Sequence, residues 1–477
     1  MRKILLLLVL LVVACTSPYN PNVDVPHQVI TQEDRHIIDY IDQRLMSEYY
    51  WLDEVEQKEH LFNRNTTWTS YLSASLSQLT TNTDDGYISN NGSRAYYSYI
   101  RKVASTTRAA TMGYGIALYY TIVKIGDSGY GFLIDNVYPD SPAAEADVRR
   151  GDIITRINGS DINSNNYNTL FTSIQNNTAS SLRLEVHRQV DDDGRASNYA
   201  VALERASYEP TPVAYYDVIT IEGSSQRIGY LVYTSFDSDY DEQLVSALES
   251  MSAEGVDSFI LDLRCNRGGN VSSALKLCSV LMGADYAGAT LCTLKRNPRN
   301  VKMEESTVCA LEDVGLSLNL AELTVICSGN TASASELVVT GLRGLDVPVT
   351  LIGSTTEGKN CGMDVTRRTI DNTTVEYAPI TFMCLDAKGF GDWGEGIIPN
   401  VDLTVENAMG VSDELYPMPR CRWGELSHDI ALAAAVASVT GRSIGTAPRT
   451  RFSVEGELTP AYEVEAPFEG IRYYGEP

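Results

Sequence analysis

"LTVICSGNTASASELVVTGLRGLDVPVTLIG", residues 323–353, decides the fold. "LTVIC" is a continuous apolar run of strand length, and "VPVTLIG" (347–353) is another. Between them "SASELVVTGLRGL" has the length and spacing of a helix. An apolar strand, a helix and a second apolar strand form a crossover unit, which makes the two strands parallel. The pattern also runs upstream, where "SFILDLR" (258–264) reads as a buried strand and "VSSALKLCSVLMG" (271–283) as a helix. Residues 205–445 therefore read as a mainly parallel sheet with helices on its faces.

Ligands of such sheets sit beyond the carboxyl ends of the strands. Three segments fall there: "LDLRCNRGGN" (261–270), "SGNTASASE" (328–336) and "GSTTEGKN" (353–360). Ser333 and Glu336 have the S-x-x-E spacing of a capping box, so Ser333 reads first as a helix cap. The same position suits a nucleophile, because a helix N-terminus also stabilises developing negative charge. Gly268 and Gly269 let backbone N–H groups approach a reacting oxygen, as an oxyanion hole requires. The five histidines, His27, His36, His60, His187 and His428, all lie outside these segments, which disfavours a Ser-His-Asp triad. A lysine can replace histidine if burial lowers its pKa from about 10.4 to roughly 7–8. Lys359, after a glycine at a strand end, is placed for that. Ser328 and Ser335 read as structural, Glu336 as a capping or pocket-supporting carboxylate, and Cys265 as packed.

Upstream of the parallel unit the texture differs. "GFLIDNVYPDSPAAEADVRRGDIITRINGSDI" (131–162) runs strand, Ser-Pro helix start, strand and Asn-Gly turn, and "YNTLFTSIQ" adds a helix. This order is similar to a PDZ domain, over residues 111–190. The resemblance makes "MGYGI" the loop that holds a peptide terminus. The strand Ile116 to Tyr120 would pair with that peptide by β-augmentation. Gly113, Tyr114, Gly115, Ile116, Ala117 and Leu118 are the expected peptide-binding residues.

Residues 30–110 read as a small helical domain. Thr31 caps a helix over 30–57, with Ile37, Ile41 and Leu45 on one face. At the N-terminus, Arg2 and Lys3 precede an apolar run, Ile4 to Ala14, too short to span a bilayer but suited to a signal peptide (1–14). "LVVAC" resembles a bacterial lipobox, which makes Cys15 the lipidated residue and 15–29 a tether. Residues 446–477 form a C-terminal tail. A net charge of −25 over 477 residues opposes nucleic acid and polybasic membrane contact. Of nine cysteines, eight lie between 265 and 421 without a C-x-x-C pair, so a zinc site is disfavoured and no disulfide pairing is selected.

The order PDZ, "DLRCNRGG", "TASASE", "GK" resembles the C-terminal processing peptidases, or tail-specific proteases. The resemblance implies a multidomain α+β chain: a small N-terminal helical domain, a PDZ domain and a crotonase-like α/β peptidase core. It implies a Ser-Lys endopeptidase, with Ser333 as nucleophile, Lys359 as general base, and Ala334, Gly268 and Gly269 as the oxyanion hole. No metal or organic cofactor follows from it. The expected partners are protein or peptide substrates presented by C-terminal or extended segments. The expected location is the bacterial cell envelope, lipid-anchored at the outer membrane and facing the periplasm.

Two departures stand out. Asn400 in "GEGIIPNVDL" (394–403) replaces the family's usual aspartate. Met363 replaces a glutamine that orients the lysine, leaving Asp364 or Asn360 as substitutes. Met363 also keeps a second reading open, a catalytically weak or inactive peptide-binding PDZ lipoprotein. A crotonase-type acyl-transfer enzyme is opposed by the PDZ segment and the export signal.

Overall fold

In the computed structural model, six strands form the central sheet, in the order Val213–Thr220, Arg227–Tyr233, Ser258–Asp262, Leu323–Cys327, Val349–Gly353 and Val401–Asp402. The first two are antiparallel and every later neighbour pair is parallel. Side chains alternate between faces along each strand. Ile228, Tyr230, Val232, Ile260, Ile326 and Ile352 point to one side, where the helix Ile430–Thr440 covers them. Leu231, Tyr233, Leu261, Val325 and Leu351 point to the other, against helices Asp241–Ala253, Val271–Met282 and Ala334–Gly344. Burial on both faces explains why these strands read as unbroken apolar runs. The structure describes residues 29–88, 93–103, 111–118, 122–125, 129–175, 179–405, 416 and 418–445, and the backbone of 459–462 and 471–473. The proposed signal peptide and Cys15 lie outside the described residues.

A second sheet packs against helix Ala334–Gly344 through its strands Thr290–Arg296 and Ile380–Asp386. Its order is Ser306–Ala310, Thr290–Arg296, Ile380–Asp386, Cys361–Asp364 and Ile471–Tyr473. The cysteines 265, 278, 292, 309, 327, 361, 384 and 421 are all free thiols.

The PDZ-like sheet runs Ser197–Glu204, Ser181–Arg188, Ile153–Ile157, Gly129–Leu133, Ile122–Ile125 and Thr459–Tyr462. It therefore extends past residue 190, because Ser197–Glu204 pairs along the full length of Ser181–Arg188. Ser141 caps the short helix Pro142–Glu145 through its hydroxyl, with Pro142 at the first helical position. Helix Tyr167–Gln175 closes the module over Phe132 and Leu184.

The N-terminal helical region departs from expectation in one way. Thr31 and Asp34 form the capping box, but the single helix over 30–57 is two, Gln32–Glu48 and Leu52–Lys58. The break at Tyr49 lets Tyr50 donate its N–H to the Ile380 carbonyl at 2.9 Å, while the buried Tyr49 hydroxyl reaches Asp85. The helical region also packs directly on the core. After helix Trp68–Leu76 it continues as short strands, and Tyr99–Lys102 pairs with Thr373–Ala378 of the core. Ile37, Ile41, Leu45, Tyr49 and Leu72 share one apolar cluster with Cys361, Met363, Tyr377 and Ile380.

Candidate active site

The three sequence segments meet at the carboxyl ends of three adjacent parallel strands. Ser333 ends the loop after Leu323–Cys327 and stands at the N-cap of helix Ala334–Gly344. Its backbone is forced, with φ +64° and ψ −115°, a region costing a non-glycine residue about 1–3 kcal/mol. Its side chain is fully buried, and its hydroxyl, facing the first helical turn, makes no hydrogen bond of normal geometry. The carboxylate half of the capping box is made: Glu336 Oε2 accepts the Ser333 N–H at 2.7 Å.

Glu336 does more than cap. The same Oε2 accepts the Lys359 N–H at 2.9 Å, while Oε1 accepts the Gly358 N–H at 2.8 Å and the Thr356 hydroxyl at 2.6 Å. One buried carboxylate thus holds the serine loop and the lysine loop against each other. Burial pushes its pKa up to about 7, although all four hydrogen bonds favour the charged form. The capping spacing located Glu336 in the sequence but gave no sign of its bonds to residues 356–359.

The glycine turn lies directly on Ser333. A Cβ at Gly268 would stand 2.7 Å from Ser333 Cβ and 2.9 Å from Ala334 N, so only glycine allows this approach. Both Gly268 and Gly269 have positive φ, +101° and +139°. One expectation is corrected here. The Gly268 N–H already donates to Asn266 Oδ1 at 2.8 Å, so it is not a free oxyanion donor. Asn266, which the sequence did not single out, is fully buried and knits the two loops: its carbonyl accepts from the Ala332 N–H and the Ser335 hydroxyl. Ser335 and Ser328 are structural, the latter donating to the Arg264 carbonyl at 2.6 Å. Burial pushes the Cys265 thiol up to about 12, in keeping with packing.

Lys359 is fully buried and its Nζ lies 4.3 Å from the centroid of the Tyr97 ring. Gly358 and Gly396 pack back to back, and Thr356 exchanges hydrogen bonds with Ile397, so the 394–397 segment braces the lysine loop. Asp364 and Asn360 do not act as the expected substitutes for glutamine. Asp364 makes a two-pronged pair with Arg296 and accepts from Thr381, and Asn360 donates to the Gly391 carbonyl. Met363 is buried in the apolar cluster shared with the N-terminal segment. His428 contacts Ser427 and lies beside Gly194 of the PDZ-like module.

Gly113 to Leu118 lie in the PDZ-like module as a largely buried stretch. The expected strand 116–120 is shorter, Ile116–Ala117, and pairs with Asn136–Val137; Tyr119 and Tyr120 lie outside the described residues. The carbonyls of Tyr114, Gly115 and Ala117 accept from Ala143, Tyr138 and Asp135. Gly115, at φ +80°, packs onto Ser141, where any Cβ would clash.

Comparison with known proteins agrees with this architecture. Residues 227–403 match peptidase family S41 and residues 133–188 match the PDZ domain. The chain is 25% identical over 279 residues to the carboxy-terminal processing protease CtpA of Bacillus subtilis (strain 168), covering 56% of this chain and 52% of that protein. It is 23% identical over 271 residues to a probable CtpA-like serine protease of Staphylococcus aureus (strain bovine RF122 / ET3-1), covering 57% and 50%. It thus spans about half the length of these curated relatives. The crystal structure of a putative S41 protease from Bacteroides fragilis NCTC 9343 shares the fold, with a TM-score of 0.66 and 22% identity over 84% of this chain and 97% of that one. Fold and site together define a PDZ-bearing S41 peptidase architecture. Residues 227–403 are an S41 peptidase unit beside a PDZ domain, and the chain is similar to CtpA-like, carboxy-terminal processing proteases.

Proposed function

We propose that this protein is a serine endopeptidase in which Ser333 is the nucleophile and Lys359 the general base. The observation that carries the reading is the shared Glu336 Oε2, which accepts the N–H of both residues. Ser333 Oγ attacks the scissile carbonyl and its proton passes to the neutral Lys359 Nζ. The resulting oxyanion is met by the Ala334 N–H, at a helix N-terminus, and by the Gly269 N–H; Gly268 supplies the close approach. Collapse of the tetrahedral intermediate releases the amine, which takes the proton from Lys359. Water then attacks the acyl-serine as Lys359 takes its proton, and collapse of the second tetrahedral intermediate releases the carboxylic acid while the proton returns from Lys359 to Ser333 Oγ.

The PDZ-like module presents extended or C-terminal segments of protein substrates, through residues 113–118. The leader and Cys15 supply a lipid anchor to the bacterial cell envelope. Met363 supports the alternative of a weak or inactive peptide binder, and one measurement separates the two. Wild type should degrade an unfolded protein, and Ser333→Ala and Lys359→Ala should each lose at least about a thousandfold in kcat while melting normally. Turnover in Ser333→Ala would remove the nucleophile assignment. Binding without turnover in wild type would favour the alternative.

A further inference from the structure

The amine of a base lysine needs groups that orient it, and three residues close to it in sequence are engaged elsewhere. Met363 is apolar, Asp364 is bound to Arg296, and Asn360 to Gly391. A contact with the amine comes from the N-terminal segment, across more than half the chain. Lys359 Nζ stands over the face of Tyr97, 4.3 Å from its centroid. That ring is itself fixed: it stacks on Tyr87 at 5.3 Å, and its hydroxyl donates to Glu357 Oε1 at 3.1 Å. Next to it is Asp85, fully buried, which accepts from the Tyr49 hydroxyl, the Ser98 N–H and the Ser98 hydroxyl. Ser98 is tied to the core by the Ile380 N–H, and Cys361 Sγ is tied to the Asp84 carbonyl at 3.2 Å.

We infer that the N-terminal segment completes the peptidase site, Tyr97 and Asp85 acting as positioning residues that hold Lys359 Nζ and stabilise the ammonium it becomes when Ser333 gives up its proton. The inference rests on the dyad reading above. A ring face attracts a cation far more than a neutral amine, so the Tyr97 contact strengthens as the proton moves. Such an interaction acts on kcat and leaves KM alone. Burial and the neighbouring Glu357 carboxylate push the Tyr97 phenol well above its usual range, so Tyr97 serves as a ring and not as an acid. The charged or titratable groups around the amine are Asp85 and Tyr97 from the N-terminal segment, Cys361 on its own segment and Cys384 on the neighbouring strand; Glu357 is bound to the Tyr97 hydroxyl and Glu336 to the Lys359 backbone N–H.

The test uses the full chain and a short peptide substrate that wild type cuts, with Tyr97→Leu, Tyr97→Phe, Asp85→Asn and Lys359→Ala. Tyr97→Leu should lose about tenfold or more in kcat with KM within about twofold, and Tyr97→Phe, which keeps the ring, should recover most of that loss. Asp85→Asn removes a negative charge that favours the ammonium, so the ascending limb of kcat/KM against pH should move to lower pH. Equal losses in the Leu and Phe variants, or none in Leu, would overturn the inference. If Tyr97→Leu does not fold, the Asp85→Asn profile decides, and an unmoved limb overturns it. Turnover in Lys359→Ala would sink the dyad itself. An inactive Lys359→Ala beside an unaffected Tyr97→Leu would sink only the positioning role.

Discussion

Two fully buried carboxylates flank the lysine, and their surroundings differ in kind. Glu336 lies on the helix that Ser333 begins, and three of its four donors are backbone N–H groups of Ser333, Gly358 and Lys359. Asp85 comes from the N-terminal segment, and two of its three donors are the hydroxyls of Tyr49 and Ser98. Both are pushed up by burial, Glu336 to about 7 and Asp85 to about 6. A backbone N–H cannot reverse its polarity, whereas a hydroxyl can turn a lone pair toward a donor. Glu336 is therefore an acceptor the fold cannot replace, and Asp85 a charge whose hydrogen bonds are adaptable.

The largest expected effect after loss of the dyad follows from that difference. An amide at position 336 must aim its NH2 either at the N–H groups of Ser333 and Lys359 or at that of Gly358. At least one buried backbone donor is then abandoned, at about 1–3 kcal/mol each. Glu336→Gln should thus lower the melting temperature and most of the activity together. Asp85→Asn should cost clearly less, because both hydroxyls can accept from the new NH2. Chemical denaturation of the two variants side by side checks the ranking, and an equal or larger loss in Asp85→Asn would break it.

The pH dependence of stability sharpens the same contrast. A carboxyl whose folded pKa is raised keeps a proton that the unfolded chain has released, so it lowers stability as pH rises between the two values. For Glu336 that window runs from 4.5 to about 7, and for Asp85 from 3.8 to about 6. Each fully buried group should remove about 3 kcal/mol across its window. Asp85→Asn should flatten the acid part of the profile and leave the decline toward pH 7. A wild-type profile that rises from pH 5 to 7 would contradict both assignments.

What the sequence disclosed follows from where the information lies. Ser333, Lys359 and the Gly268-Gly269 turn each close an apolar strand, so period and punctuation locate them without long-range knowledge. The commitment of the Gly268 N–H to Asn266 is an Asx turn, which the Asn-x-Gly spacing permits but does not require. Tyr97 and Asp85 sit in a Ser/Thr/Asn-rich stretch with weak periodicity, and their approach to Lys359 is a product of docking. That docking is itself only half legible. The apolar face of Gln32–Glu48 is plain, but its partner, the cluster around Cys361, Met363 and Ile380, reads in sequence as ordinary core strand. The break at Tyr49 is not legible in "EYYWL", which carries no glycine or proline, because tertiary hydrogen bonds from Tyr49 and Tyr50 produce it.

Chemistry and presentation can be separated in the same way. Ile116→Pro removes one strand N–H, while the hydrogen bonds accepted by Gly115 and Ala117 do not use it. Degradation of long substrates with apolar C-termini should fall by about tenfold, and cleavage of a short chromogenic peptide should change by less than about twofold. Equal loss on both substrates would make the PDZ-like module part of an activation switch. No change on either would move the groove elsewhere. Chelation of metals should leave both rates unchanged, and a loss restored by zinc would mean that the Ser-Lys reading is incomplete.

The smallest effect is expected at Asn400. Its Oδ1 accepts the Leu351 N–H at 2.8 Å and lies 3.3 Å from the Arg343 guanidinium, while its own N–H donates to the Leu351 carbonyl. An acceptor is all that Leu351 requires, so asparagine performs the structural task of the aspartate that the resemblance leads one to expect. Its NH2 group, on the exposed side, is not called upon. Asn400→Asp keeps the acceptor and adds a charge beside Arg343, a pair open to solvent and worth about 1 kcal/mol or less. The melting temperature should rise slightly at low salt, and the gain should shrink as salt is added. The site lies at the strand's outer edge and touches neither Ser333 nor Lys359, so kcat and KM should not move. A loss of stability in Asn400→Asp would mean that the amide NH2 has a partner that the charged oxygen repels.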